Sequence, residues 1–177
     1  MQMSNCVTPV RRENYVQQLS SKYIPEDIFG SCTNMQNCSQ KCYDMLRNDY
    51  KFYLAFENTW CPDYVTKKFY RSLKYNTVPI VMGGSEYERF APLNSYMNVK
   101  DFRSPKELAE YILMLQNSDE LFAKYFNWKK YYSIAMPYNH GLCELCRMAH
   151  DETLPPKIYQ DIKEWWFDSV KCLNTSN

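Results

Sequence analysis

Lys67 and Lys68 stand in the first turn of a segment that reads as a helix. Thr66 can cap it, and Phe69 and Leu73 give it a short apolar face. Cations at that end oppose the helix dipole. The arrangement makes sense where an anion lies at the helix terminus, held by backbone N–H groups and ammonium together. The same spacing also fits two solvated lysines. Just upstream lies a polar and aromatic loop, Glu57–Val65, carrying Glu57, Asn58, Asp63 and Tyr64.

The elements that must position these residues are legible on both sides. Phe52–Phe56 is a short apolar run of the kind that forms a buried strand, and Val78–Met82 is a second one closing on Gly83-Gly84. Strand, loop, helix and strand make a βαβ unit, whose ligands gather at the carboxyl ends of the strands. Around it, the spacing predicts a helix over Glu13–Lys22, a short strand at Asp27–Gly30, and a helix over Gln40–Asn48. Met3–Cys6 has the pattern of a strand stub. Downstream, Tyr87–Pro92 is a compact turn and Tyr96–Val99 a strand. Ser104, Pro105 and Glu107 supply an N-cap, a proline at the first helical position and a carboxylate in the first turn. That helix carries Leu108, Ile112 and Leu115 on one face. A further helix is expected at Asp119–Phe126, then an irregular stretch in which Pro137 bars a long helix. Helices at Leu142–His150 and Tyr159–Val170 complete the chain. Alternating strands and helices imply an α/β fold with a parallel sheet.

Composition narrows the function. The 177 residues suit one domain with a sound core, and the formal net charge of +1 attracts no acidic polymer. Basic residues come in pairs rather than on one face, which argues against a nucleic-acid partner. No apolar run approaches the roughly 20 residues that span a bilayer, and the N-terminus lacks the layout of a signal peptide. Eight cysteines nevertheless fit an oxidising compartment, as do the sequons at Asn37 and Asn174. The conflict resolves if the sequence is the C-terminal part of a longer chain. His140, Cys143, Cys146 and His150 have zinc-like spacing, but the two cysteines also fit disulfide halves. Only two histidines occur, both near that motif, so a hydrolytic triad has little to draw on. No Asp-x-Asp pair is present to carry a metal for diphosphate transfer.

The order and spacing of FYLAFEN, DYVTKKF and VPIVMGG resemble the α1,3-fucosyltransferases, and within them the core type that modifies invertebrate N-glycans. Further stretches agree: SNC with Arg12 and Tyr15, DIFGSC, CYDMLRNDYKFYL, YERFAP, DFRSPKELAEYI, DELFAKYFNWK, CELCRMAHDE and YQDIKEWW. Together they cover the chain from about Ser4 to Trp166.

The resemblance implies a Rossmann-like parallel sheet flanked by helices over residues 1–177, binding GDP-fucose. This would be the C-terminal half of a two-Rossmann-domain (GT-B) glycosyltransferase. The N-terminal acceptor domain, the membrane anchor and the catalytic carboxylate base would lie upstream, so no catalytic base is expected in this chain. The implied activity is inverting, metal-independent transfer of fucose to GlcNAc of an N-glycan on the luminal side of the Golgi membrane. The alternative is a non-catalytic remnant that keeps the fold. By motif position, Arg12 and Lys68 would hold the diphosphate, and Asn58 and Tyr64 would line the nucleotide-sugar pocket. Tyr53 and Ser4-Asn5 would lie near the base, Tyr53 being equally suited to core packing. Glu57 would accept from a fucose hydroxyl or anchor the loop. The family places glutamate where this chain has Lys67, to accept bonds from the ribose hydroxyls. Lysine only donates. The family also ties its C-terminus down through disulfides of the CxxC motif.

Overall fold

The computed structural model describes residues 1–32, 40–134, 137–168, 170 and 172. They fall into two compact units, one of Met1–Tyr132 with the residues from Cys172 onward, the other of Ser133–Lys171. Cys38 and both sequon asparagines, Asn37 and Asn174, lie outside the described residues, as do the side chains of Cys42 and His140.

The first unit is built on the βαβ unit expected from the sequence. Strands β1 (Phe52–Phe56), β2 (Val78–Met82) and β3 (Met97–Asn98) form a parallel sheet in the order β1-β2-β3. Register pairs Phe52 with Val78 and Phe56 with Met82, while Ile80 and Val81 meet Met97 and Asn98. Pro79 sits in the middle strand without breaking a bond. The Val78 N–H donates to Lys51 O on the β1 side (2.9 Å), so the Pro79 nitrogen faces the other side, below the level where β3 begins.

Side chains alternate across this sheet. Leu54, Phe56, Val78, Ile80 and Met82 share one core cluster with Val16 and Leu19 of α1 (Arg12–Lys22) and with Leu108, Ile112 and Leu115 of α4 (Pro105–Gln116). The opposite face is covered by α3 (Lys67–Lys74), which packs on β1 and β2. Its Phe69 is fully buried and meets the rings of Tyr87 and Tyr96 edge-on, with centroids 5.4 and 5.6 Å away. Burying Phe69 and Leu73 is worth about 1.5–3 kcal/mol each. Helix α2 (Gln40–Asn48) leads into β1, and α5 (Asp119–Lys124) follows α4. Ser104 caps α4 by accepting from the Glu107 N–H (3.2 Å), and the Glu107 carboxylate returns to the Arg103 N–H at 2.7 Å.

Several expectations are corrected. The strands foreseen at Met3–Cys6 and Asp27–Gly30 reduce to one parallel bridge between Gln2 and Phe29. Gly30, at φ 119°, lies so close to the Met3 backbone that no side chain would fit, and the pairing ends there. The strand at Tyr96–Val99 shortens to two residues because Val99–Asp101 tightens into a 3₁₀ turn. Pro137 opens α6 (Pro137–His150) rather than barring a helix, since a first-turn residue needs no N–H donor. The last expected helix, Tyr159–Val170, reduces to a brief turn and a π-helical segment at Glu164–Asp168. Among its described side chains, Ile162 and Trp166 are 60% and 59% exposed.

Candidate functional site

The site is assembled where α3 begins, at the carboxyl end of β1. Glu57, the residue after β1, is fully buried, and its N–H donates to Met82 O at 2.9 Å. Its carboxylate accepts from the Thr66 N–H (2.8 Å), the Thr66 hydroxyl (2.8 Å) and the Lys68 ammonium (2.9 Å). Thr66 in turn caps α3 by accepting from the Lys68 N–H at 3.4 Å. The chain itself thus supplies a buried anion at this helix terminus, bonded to Lys68. Of the two readings open for Glu57, the geometry supports the anchor: loop, cap and Lys68 are locked to one carboxylate.

Arg12 approaches from the first turn of α1. It is 2% exposed, and its guanidinium donates to Phe56 O (2.8 Å) and Asn5 O (3.3 Å), tying α1 and the N-terminal segment to the end of β1. The buried Nε has no hydrogen-bond partner among the described residues. Arg11, the residue before the helix, adopts a left-handed conformation (φ 48°) that delivers Arg12 inward. Burial weakens the hold of both cations on their protons. Arg12 is lowered chiefly by desolvation, with Glu57 and Glu13 opposing; Lys68 is lowered by desolvation, with Glu57 opposing and Arg12 and Lys67 adding repulsion. An anion arriving here would relieve that strain.

Arg12 and Lys68 line an open cleft of about 200 Å³ together with Lys67, Asn58, Ser4 and Asn5. Gln2 and Arg71 complete its wall, which has no carboxylate among the described residues. The structure thus brings together four of the expected site residues, Arg12, Asn58, Lys67 and Lys68, with Ser4 and Asn5 beside them. Tyr64 stands behind Asn58 and donates to its Oδ1 at 3.0 Å. Burial, and then Glu57, raise the Tyr64 hydroxyl above its usual range, which favours the neutral donor form. Tyr53 is buried on β1 and absent from the cleft wall. Arg71 was not anticipated, although it follows Lys67 by four residues on one helix, a spacing that places both on one face.

The loop that carries Asn58 and Tyr64 is pinned at several points. Cys61 is disulfide-bonded to Cys172, and Ser85 donates to Cys61 O at 3.4 Å. Arg89 pairs with Asp63 (2.8 Å), whose φ of 57° turns the loop. Gly84 is required by close approach, since a Cβ there would lie 2.6 Å from the Trp60 carbonyl carbon. A second disulfide joins Cys6 to Cys32. Cys143 and Cys146 are free, exposed thiols, and no cluster that could hold a metal ion occurs among the described residues.

A larger concavity of about 710 Å³ lies elsewhere in this unit, between α4 and the Asn127–Lys130 turn. Its walls are mainly Tyr111, Tyr125, Trp128 and Tyr131, with Lys124 as its cation, so it lacks the charge that a diphosphate needs. The small cationic cleft is the better chemical candidate.

Residues 1–165 match the family model described as glycosyltransferase family 10 (fucosyltransferase), C-terminal. The chain is 43% identical over 183 residues to glycoprotein 3-α-L-fucosyltransferase A of Drosophila melanogaster, covering 98% of this chain and 36% of that one. It is 36% identical over 174 residues to α-(1,3)-fucosyltransferase C of the same organism, covering 96% of this chain and 40% of the other. A crystal structure of α1,3-fucosyltransferase with GDP superposes with a TM-score of 0.62 at 25% identity, over 86% of this chain and 46% of that one. The chain thus spans less than half the length of each of these relatives.

Proposed function

We propose that this chain, which belongs to the fucosyltransferases of glycosyltransferase family 10, is the half of such an enzyme that binds the sugar nucleotide. The donor is GDP-fucose, and the full-length protein transfers fucose in α1,3 linkage to GlcNAc of N-glycans. The supporting observation is the convergence of Arg12 and Lys68, two partly desolvated cations, on one cleft at the end of β1.

In that reaction a GlcNAc hydroxyl oxygen attacks the fucose anomeric carbon while the bond from that carbon to the diphosphate oxygen breaks. The electron pair leaves with GDP, and the configuration inverts. Arg12 and Lys68 answer the charge that develops on the departing diphosphate, a role that needs no metal when donors are preorganised. Glu57 and Thr66 keep Lys68 and the α3 terminus in place, so little reorganisation accompanies bond breaking. Asn58, oriented by Tyr64, donates from its amide to the nucleotide sugar. The base that removes the acceptor proton belongs to an N-terminal domain, in a protein anchored in the Golgi membrane with its catalytic part in the lumen. The disulfides suit that compartment.

Lys67 favours a second reading, a nucleotide-binding remnant without turnover, because it offers no acceptor to the ribose. Titrating GDP into the purified chain tests the donor site. Binding that Lys68→Ala abolishes and Lys74→Ala spares supports the assignment. A folded chain that gives no heat at millimolar GDP refutes it.

A further inference from the structure

The larger concavity, of about 710 Å³, shares no residue with the cleft and has a different chemistry. It lies toward the other end of the sheet. Lys51, just before β1, donates to Gln116 O at the end of α4 (3.4 Å) and to Asp119 at the start of α5 (2.9 Å), and Leu115 and Leu121 beside them line the concavity. β1 alone sets the two ends roughly 15 Å apart. The volume falls in the range of small-molecule sites, about 300–1,000 Å³. Tyr111, Tyr125, Tyr131 and Tyr132 bring phenol rings to its wall. Tyr131 and Tyr132 are 82% and 61% exposed, so their faces are open. The Tyr111 and Tyr125 hydroxyls lie 3.1 Å apart and share one hydrogen bond, which leaves one O–H to donate and lone pairs on both to accept. The amides of Asn94 and Asn127 add further donors and acceptors. No carboxylate lines the concavity among the described residues, and its cation, Lys124, is paired with Glu120 at 3.5 Å.

We propose that this concavity is a second, non-catalytic site that binds a neutral oligosaccharide of β-linked, equatorially substituted pyranoses. Such a ring is apolar on its faces, where the axial C–H bonds point, and polar around its edge. The C–H faces carry slight positive charge and stack on the electron-rich faces of tyrosine. The edge hydroxyls both donate and accept, as the hydroxyl pair and the two amides require. A hydrocarbon would take water from those groups and leave them unpaired. A quaternary ammonium also favours aromatic faces, but it would meet Lys124 and no carboxylate. An anion would find one cation, already engaged by Glu120. Because the cleft lies at the opposite end of β1, a sugar held here receives no group from a donor there. The site anchors a glycan by a part remote from any reaction, and it does not depend on what the cleft binds.

Calorimetric titration of chitotriose into the purified chain tests this, and stacking with a few neutral hydrogen bonds should give millimolar affinity. Tyr131→Ala and Tyr132→Ala remove exposed rings and should each weaken binding about two- to tenfold in a chain that stays folded. Tyr111→Phe keeps its ring and removes one hydroxyl of the pair. Asn94→Gly keeps the left-handed backbone (φ 60°) and removes the amide. Each should also cost about two- to tenfold. Lys124→Met removes the charge from the concavity and Tyr23→Ala an exposed tyrosine outside it, and neither should change the affinity. A folded wild type that gives no heat with chitotriose at tens of millimolar overturns the proposal. So does tetramethylammonium binding more tightly than chitotriose, which would assign the rings to a cation. Competition between GDP and chitotriose would move the sugar into the cleft and is equally fatal. A wild type that self-associates, binds no chitotriose and becomes monomeric in Tyr131→Ala/Tyr132→Ala would make this face an interface between copies instead.

Discussion

Glu57→Gln is the most informative single change, because one buried carboxylate holds three donors from two residues. The glutamine oxygen can still accept from the Thr66 N–H and hydroxyl, both at 2.8 Å in the native protein. Its NH₂ must then face the Lys68 ammonium, where Glu57 Oε2 now lies 2.9 Å away. A charge-assisted bond becomes a donor–donor contact, and a cation that is mostly withdrawn from water loses its counter-charge. Breaking a buried ion pair by removing one partner costs about 3–5 kcal/mol. The Lys68 side chain is 21% exposed, so it can turn partly to solvent, and the lower end of that range applies. About 3 kcal/mol corresponds to a fall in Tm of roughly 6–12 °C for a protein of this size. Urea and thermal denaturation read the loss, and GDP titration should show weaker binding because Lys68 is no longer held. The double variant Glu57→Gln/Lys68→Met should lose less than the sum of its parts, since removing both members of a buried pair leaves no orphan charge. Strict additivity, or a Tm within about 2 °C of wild type for Glu57→Gln, would refute the claim that this ion pair organises the site.

Other outcomes follow from the same structure. Burial raises the Glu26 carboxyl to about 7, against smaller opposing effects of the N-terminal ammonium and Ser20. The folded state therefore binds more protons than the unfolded one between about 4.5 and 7, and stability present at low pH is lost as pH rises through that window. Because Glu26 is partly exposed, Glu26→Gln should be near neutral at pH 4.5 yet stabilise by only about 1 kcal/mol at pH 8, measured by urea denaturation; equal effects at both pH values would contradict this. Gly84→Ala forces its Cβ against the Trp60 backbone and should cost about 1–3 kcal/mol while weakening GDP binding, as the loop bearing Asn58 shifts. Cys61→Ser/Cys172→Ser opens a link between residues 111 apart in sequence and should destabilise by about 2–5 kcal/mol in denaturant titrations, and adding reductant should lower the stability of the variant, which keeps Cys6–Cys32, less than that of the wild type.

The sequence alone determined whatever depends on neighbours along the chain. β1, the Thr66 cap, the start of α3, β2 and the Ser104 cap all follow from residues within one or two turns of each other, and each occurs where the spacing places it. Residue type and order also sufficed to mark Arg12, Asn58, Lys67 and Lys68 as one group, though only through resemblance to a family, because nothing local joins Arg12 to residues 46 or more positions away. Tertiary structure decided the rest. Whether Glu57 touches a ligand or a helix cap depends on its burial beneath Thr66, a property of packing that the letters FEN do not contain. Tyr53 is buried for the same reason, since both faces of β1 are covered and four consecutive residues, Tyr53, Leu54, Ala55 and Phe56, are withdrawn from solvent. The pairings Cys6–Cys32 and Cys61–Cys172 required the folded path of the chain, as an even count of cysteines permits many connectivities. The C-terminal segment shows the converse: Tyr159–Val170 has helical apolar spacing, but with Ile162, Trp165 and Trp166 exposed its described side chains offer no buried face to hold a regular helix, and periodicity without a partner surface does not determine one.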